Sequence, residues 1–169
     1  MKVRPASLSD VAALVALNEH VQLIRAVAVP ELFRRNPPAD VIGDAFRKMI
    51  ADPAAFWLIA EDEVPCGYLC AQFHEQPESW FRPALRLCNI SQLAVHPEAR
   101  RKGVARRLIA TLVETATQRG FERIVLDVWT FNQGAREAFM RLGFHLYNER
   151  LELVRAPASP ATSIASANI

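Results

Sequence analysis

The stretch Asn89-Ile90-Ser91-Gln92-Leu93-Ala94-Val95-His96-Pro97-Glu98-Ala99-Arg100-Arg101-Lys102-Gly103-Val104-Ala105-Arg106-Arg107 decides how this chain is read. Its first half continues an apolar run from Leu85 and stops at His96-Pro97, which predicts a strand over Leu85–Val95. Its second half packs Arg100, Arg101, Lys102, Arg106 and Arg107 around the small residues Gly103 and Ala105. Directly behind it Ala105, Leu108, Ile109, Leu112, Val113 and Ala116 form an apolar stripe at helical spacing, closed by Arg119-Gly120. The basic cluster therefore sits at a helix N-terminus, where backbone N–H groups lack intrahelical partners and the macrodipole is positive. Such an end holds phosphate, and Gly103 and Ala105 keep its surface low enough for close approach. Neither a GxGxxG nor a Walker pattern is present, so a dinucleotide or nucleoside triphosphate is not the expected ligand. On its residues alone the basic run is equally compatible with a solvated face or a nucleic-acid patch.

Working outward, Lys2–Pro5 reads as a first strand, and Ser7 and Asp10 have capping-box spacing before a helix marked by Val11, Leu14, Val15 and Asn18. A connector at Asn36-Pro37-Pro38 precedes a second helix from about Asp40 to Ile50. Phe56–Ala60 and Gly67–Phe73 flank the charged turn Glu61–Pro65 and predict a hairpin. Glu75–Pro83 is a polar loop carrying Trp80 and Phe81. Downstream of the cluster we expect a strand over Ile124–Trp129, a short helix from Asn132 to Gly143, and a last strand over Phe144–Val154. Residues 156–169 are rich in Ala, Ser and Pro and read as a tail after a single domain spanning 1–155. Hairpins combined with strand–helix–strand units give an α/β (α+β) chain with a mixed sheet and helices on both faces.

Composition bounds the function classes. Of 169 residues, 51% are hydrophobic and 22% charged, with 20 Lys+Arg against 18 Asp+Glu, which fits one folded core and excludes a disordered or fibrous chain. A net charge of +2 gives no bulk reason to expect nucleic acid or membrane as partner. Cys66, Cys70 and Cys88 are odd in number and lack metal-ligand spacing, so we expect no disulfide framework, no metal and a reducing cytoplasmic setting. No stretch reads as a signal peptide or as the roughly 18 apolar residues of a bilayer span.

Two blocks carry a resemblance. Arg100-x-x-Gly103-x-Ala105, with the strand Ile90–Val95 before it, is similar to the Q/R-x-x-G-x-G/A signature of the GCN5-related N-acetyltransferase (GNAT) superfamily. Leu126-x-Val128-x-x-x-Asn132-x-x-Ala135, followed by Leu142-Gly143-Phe144, resembles the family's downstream motif at the same spacing. Together the blocks span about residues 90–146. The resemblance implies a mostly antiparallel sheet splayed between its fourth and fifth strands, and acetyl-coenzyme A as cosubstrate without a metal. It further implies that backbone groups of Leu93 and Val95 pair with pantetheine, with the Leu93 amide as oxyanion donor. Arg100, Arg101, Lys102, Gly103, Val104, Ala105 and Arg106 would hold the pyrophosphate, and Asn132 and Phe139 would form the opposite wall. Acetyl transfer to a primary amine of a small molecule or peptide, by direct attack, is the implied activity. A homodimer stays open.

The chain departs from the family at two places. Phe139 stands where a Tyr usually donates a proton to the leaving thiolate, and Ser91-Gln92 stands where part of the family has a Glu base. A base is needed, because an alkylammonium of pKa near 10.4 is almost wholly protonated at neutral pH. Asp127, matching a Glu five residues before the Asn in other members, is the first candidate, with hydrogen bonding to a structural partner as the competing role. His74 with Glu75, and Glu31, are the second candidates for base or amine contact, and Trp129 is a candidate for the acceptor wall. Trp80 and Phe81 are either pocket aromatics or packing. A non-catalytic coenzyme A-binding module is the alternative function.

Overall fold

The computed structural model describes residues 1–154. Five strands form one sheet in the order β1-β2-β3-β4-β5: β1 (Lys2–Pro5), β2 (Ala55–Asp62), β3 (Val64–Gln76), β4 (Leu85–Val95) and β5 (Arg123–Leu126). The first four are antiparallel neighbours, while β5 is parallel to β4 because α3 (Val104–Gln118) carries the chain back across the sheet between them. α1 (Val11–Ala28) and α2 (Ala39–Ala51) cover one face, and α3 covers the other, with α4 (Gln133–Arg141) alongside. The expected mixed sheet with helices on both faces is thus what forms.

Alternation along the strands feeds two cores. Leu58, Leu69, Ala71, Cys88 and Ile90 meet Val104, Leu108, Leu112 and Ala116 of α3. Trp57, Ile59, Tyr68, Cys70 and Ala94 meet Val11, Leu14 and Leu17 of α1 and Phe46 of α2. Gly67 lets these layers close at the start of α3: a Cβ there would stand 2.8 Å from Val104 Cγ1 and 2.9 Å from the Ala94 carbonyl oxygen. Ahead of α1, the Ser7 amide donates to Asp10 Oδ2 at 2.8 Å, and Arg4 grips Asp10 and Glu61 at 2.7 and 2.6 Å. The stretch Leu8–Ala28 does reach the length and apolarity of a bilayer span, contrary to the sequence expectation. Its Val11, Leu14 and Leu17 are buried against the sheet, while Leu8, Leu23, Ile24 and Val27 are exposed.

Two expected strands are corrected. β5 stops at Leu126 rather than Trp129, because its partner β4 has turned away by that point. Phe144–Val154 forms no strand; Phe144 packs on the α3-side core, whereas Leu151, Leu153 and Val154 are exposed. Trp80 and Phe81 sit fully exposed on the turn closed by Ser79 and Arg82, so they neither pack nor line a pocket. The sequence-based tail, 156–169, lies outside the described residues.

Candidate active site

The site begins with an irregularity in β4. Cys70 pairs with Gln92 and Ala71 with Ile90, so Ser91 is an extra residue, and its hydroxyl donates to the Cys70 carbonyl at 3.3 Å. Such a bulge bends and twists its strand. Pairing with β5 ends at Ile90 opposite Leu126, and beyond it the two strands diverge. Past the bulge the His96 amide donates to the Cys66 carbonyl at 2.9 Å, toward β3. Because backbone groups alternate sides along an antiparallel ladder, those of Leu93 and Val95 face the edge that β5 has vacated.

At the far end of β4 the chain makes a 3-10 turn at Pro97–Ala99 and enters α3 through two left-handed residues, Arg101 at φ 63° and Gly103 at φ 82°. A left-handed conformation costs Arg101 about 1–2 kcal/mol, strain of the kind stored where a backbone is shaped for a ligand. The first helical bond runs from the Arg107 amide to the Gly103 carbonyl at 3.1 Å. Among the described residues nothing accepts a hydrogen bond from the amides of Arg101 to Arg106. No atom lies within 4 Å of where a Cβ on Gly103 would stand, so these amides open on free space. The turn forms a cradle of unpaired backbone donors with positive potential from the helix end and from the surrounding arginines, the features with which a helix N-terminus holds an anion.

Cradle and splayed strands border one cavity of about 810 Å³. Its wall includes Leu93 and Val95 of β4, Arg100, Arg101, Gly103, Val104, Ala105 and Arg106 of the cradle, Asp127 and Trp129 after β5, and Asn132 and Phe139 of α4. Asn132 caps α4, its Oδ1 accepting from the Ala135 amide at 3.2 Å. Phe139 is half-buried against Phe144, ring centroids 5.7 Å apart. Asp127 is exposed to the cavity and has no hydrogen-bond or salt-bridge partner among the described residues. Cys88 is wholly buried, and burial pushes its thiol up to about 11, which removes it as a nucleophile.

A sequence profile of the acetyltransferase (GNAT) family matches residues 21–144. The chain belongs to the GNAT family. The family so matched is one of acetyltransferases. Among curated relatives, a rat N-acetyltransferase 8F1 is 26% identical over 109 residues, covering 64% of this chain and 48% of that protein. The tRNA(Met) cytidine acetyltransferase TmcA of Pectobacterium atrosepticum is 30% identical over 104 residues, 57% of this chain and 15% of TmcA. The chain thus spans about half the length of the first and far less of the second.

Solved structures share the fold. A tetramutant of the Bacillus halodurans protein BH1408 superposes with a TM-score of 0.87 at 20% identity, over 92% of this chain and all of that one. The aminoglycoside 6'-N-acetyltransferase AAC(6')-Ih of Acinetobacter baumannii does so at 0.70 and 20%, over 92% and 98%. An acetyltransferase of Clostridium acetobutylicum, solved with acetyl-CoA, gives 0.67 and 23%, over 90% and 95%.

Of the residues singled out in the GNAT sequence, three stand outside the cavity wall. Lys102 is exposed on the outer side of the cradle turn, Glu31 is exposed in the α1–α2 connection, and His74 is exposed near the end of β3. Glu75, beside it, is committed to Arg86 at 2.7 Å. Arg25 of α1 and Phe131 carried no expectation from the sequence, yet both line the cavity, as does Gln92 of β4, which stands beside the place of the family's Glu base. Gln92 Oε1 lies 2.8 Å from the Tyr68 hydroxyl, which is also 3.0 Å from Asn18 Oδ1, a buried link from α1 to the bulge. Burial pushes the Tyr68 phenol well above its ordinary range. Arg25 had one available signal: it shares the i, i+4 face with Val21 on an otherwise apolar stripe.

Proposed function

We propose that this GNAT enzyme acetylates a primary amine of a small molecule or peptide, by direct attack of the amine within a ternary complex. The observation that carries the reading is the continuity of one cavity from the partnerless amides of Arg101 to Arg106, along the open edge of β4, to Asp127. The residues fit acetyl-coenzyme A in kind: unpaired donors and arginines for a diphosphate, and a bare β edge for an amide-bearing arm. When bound, acetyl-coenzyme A supplies a thioester whose carbonyl carbon is open to a neutral amine.

The chain's own tasks follow. Amides of Arg101, Gly103, Ala105 and Arg106 anchor the diphosphate, and Arg100 adds charge at the rim. Leu93 and Val95 orient the arm through their backbone, and the Leu93 N–H stands ready for developing negative charge on the thioester oxygen. Asn132 and Phe139 bound the other side. Asp127 takes the ammonium proton, a role open to it because no protein cation or donor occupies its oxygens. Phe139 cannot donate a proton, but a thiol titrating near 8.5 leaves as thiolate with modest help from the positive end of α3.

Thiol release from acetyl-coenzyme A, followed across a panel of amines and alcohols with mass detection of product, tests this reading. We expect N-acetylated product with no acetylated protein species on the way. Transfer only to hydroxyls, or trapping of a covalent acetyl-protein that turns over, would overturn it.

A further inference from the structure

The cavity's charged side chains are Arg25, Arg100, Arg101, Arg106, Asp127 and Arg141. Three of these belong to the cradle turn and the first turn of α3, and Arg141 shares with Arg106 a second hollow between α3 and α4. That leaves one anion and one cation, Asp127 and Arg25, for the rest of the cavity.

Arg25 has the position of a ligand-binding group. It sits in the last turn of α1, half-buried, and no carboxylate of the described residues lies within salt-bridge distance. A guanidinium carries a permanent charge and five donors, so one that lines a cavity with no carboxylate beside it is open to an anion. Its neighbours locate it away from the cradle. The chain leaving α1 folds back so that the Phe33 amide donates to the Val29 carbonyl at 3.2 Å, and the guanidinium stands 5.7 Å from the centre of the Phe33 ring. Phe33 meets Trp129 edge to face at 5.3 Å, and Trp129 stacks on Phe131 at 5.9 Å with the planes 20° apart. The Arg25 charge also reaches the Tyr68 phenol, whose hydroxyl bonds Gln92 beside the bulge. Arg25, Trp129, Phe131 and Asp127 thus share the cavity wall, with Phe33 behind them in contact with Arg25 and Trp129.

We infer that the acceptor is a zwitterionic amine, a small molecule carrying a carboxylate for Arg25 as well as the amine, on an apolar or aromatic body that lies along Trp129 and Phe131. The inference rests on the proposed amine acetylation and narrows its substrate. A polycationic acceptor such as an aminoglycoside or polyamine would meet one carboxylate and a facing guanidinium, which is the wrong balance of charge. A carboxylate offers Arg25 a bidentate partner in a partly desolvated setting, while the amine faces Asp127.

The test uses matched amines: L-phenylalanine, L-phenylalaninamide, phenethylamine and spermidine, each assayed for acetyl transfer with the full chain and with Arg25→Gln and Arg25→Lys. We expect the carboxylate-bearing amine to give the highest kcat/KM. Its KM should rise about tenfold to a hundredfold in Arg25→Gln, the usual cost of losing a charged hydrogen-bonding partner, and recover in part in Arg25→Lys. The acetyl-coenzyme A KM should stay within about twofold, which separates a lost acceptor contact from a damaged fold. Preference for the amide, the plain amine or the polycation, or a carboxylate preference that survives Arg25→Gln, overturns the inference and leaves amine acetylation standing. Failure of all four amines together with the wider panel overturns amine acetylation itself, and this inference with it.

Discussion

Replacing Gly103 by Glu puts the strongest demand on the cradle. Gly103 has φ 82°, and a Cβ there meets no protein atom within 4 Å, so a new side chain is not rejected by packing. It pays for the left-handed backbone, about 1–2 kcal/mol, and it projects into the space the amides face. A carboxylate at roughly 6 Å from a bound diphosphate, with an effective dielectric of about 20, adds about 3 kcal/mol of repulsion, or roughly a hundredfold in affinity. Gly103→Ala carries the backbone cost without the charge and serves as the reference. Steady-state kinetics should show the acetyl-coenzyme A KM up about a hundredfold in Gly103→Glu and only a few-fold in Gly103→Ala, with kcat far less affected. Thermal unfolding should show the two variants equally displaced, by about 2–8 °C. Because the charge term is screened, raising salt should shrink the gap between Glu and Ala. A Glu variant that binds acetyl-coenzyme A as tightly as its Ala counterpart would refute the placement of the diphosphate.

Three further outcomes are expected. Asp127→Asn should lower kcat about a hundredfold near pH 7 and recover as pH approaches the acceptor's own pKa near 10; a pH-independent deficit, or none, removes Asp127 as base. Asp10→Asn breaks the Arg4 grip and should cost about 2 kcal/mol, or about 4–8 °C in melting temperature, at neutral pH. The Arg4 guanidinium holds the Asp10 carboxyl well below the usual carboxylate range. Its contribution is therefore complete above the unfolded value near 3.9 and disappears as pH falls toward the folded one, so the parent and variant curves should converge in acid; a constant offset contradicts the assignment. Gly67→Ala should destabilise by about 1–3 kcal/mol and raise the acetyl-coenzyme A KM, since its Cβ would press on Val104 in the first turn of α3 at 2.8 Å; an unchanged KM would mean that turn is not sensitive to its support.

What the sequence made legible was set by local signals. The stripe of α3, its Gly103 entry and its Arg119-Gly120 stop are one-dimensional features, and so is the run that becomes β4, which forms over the expected Leu85–Val95. Asn132 as the cap of α4 is of the same kind. The failures have tertiary causes. Val128 and Trp129 continue a strand pattern, but β4 has bent away at Ser91 and leaves them no ladder. In Phe144–Val154 the apolar residues change parity between Leu146 and Leu151, so no single face buries both halves. Arg25 and Phe33 come from an upstream helix end and its return turn, and only folding brings them to Trp129. Glu31, two residues from Phe33, is exposed outside the cavity wall, which residue spacing alone does not reveal.

The central claim is that the amides of Arg101 to Arg106 grip the diphosphate, and it is tested most directly by following backbone amide resonances during titration with coenzyme A. The account predicts that the 101–106 amides shift together downfield and become slow to exchange with solvent, saturating in step with binding. Saturable binding that leaves those amides unmoved, or no binding at millimolar coenzyme A, would contradict it.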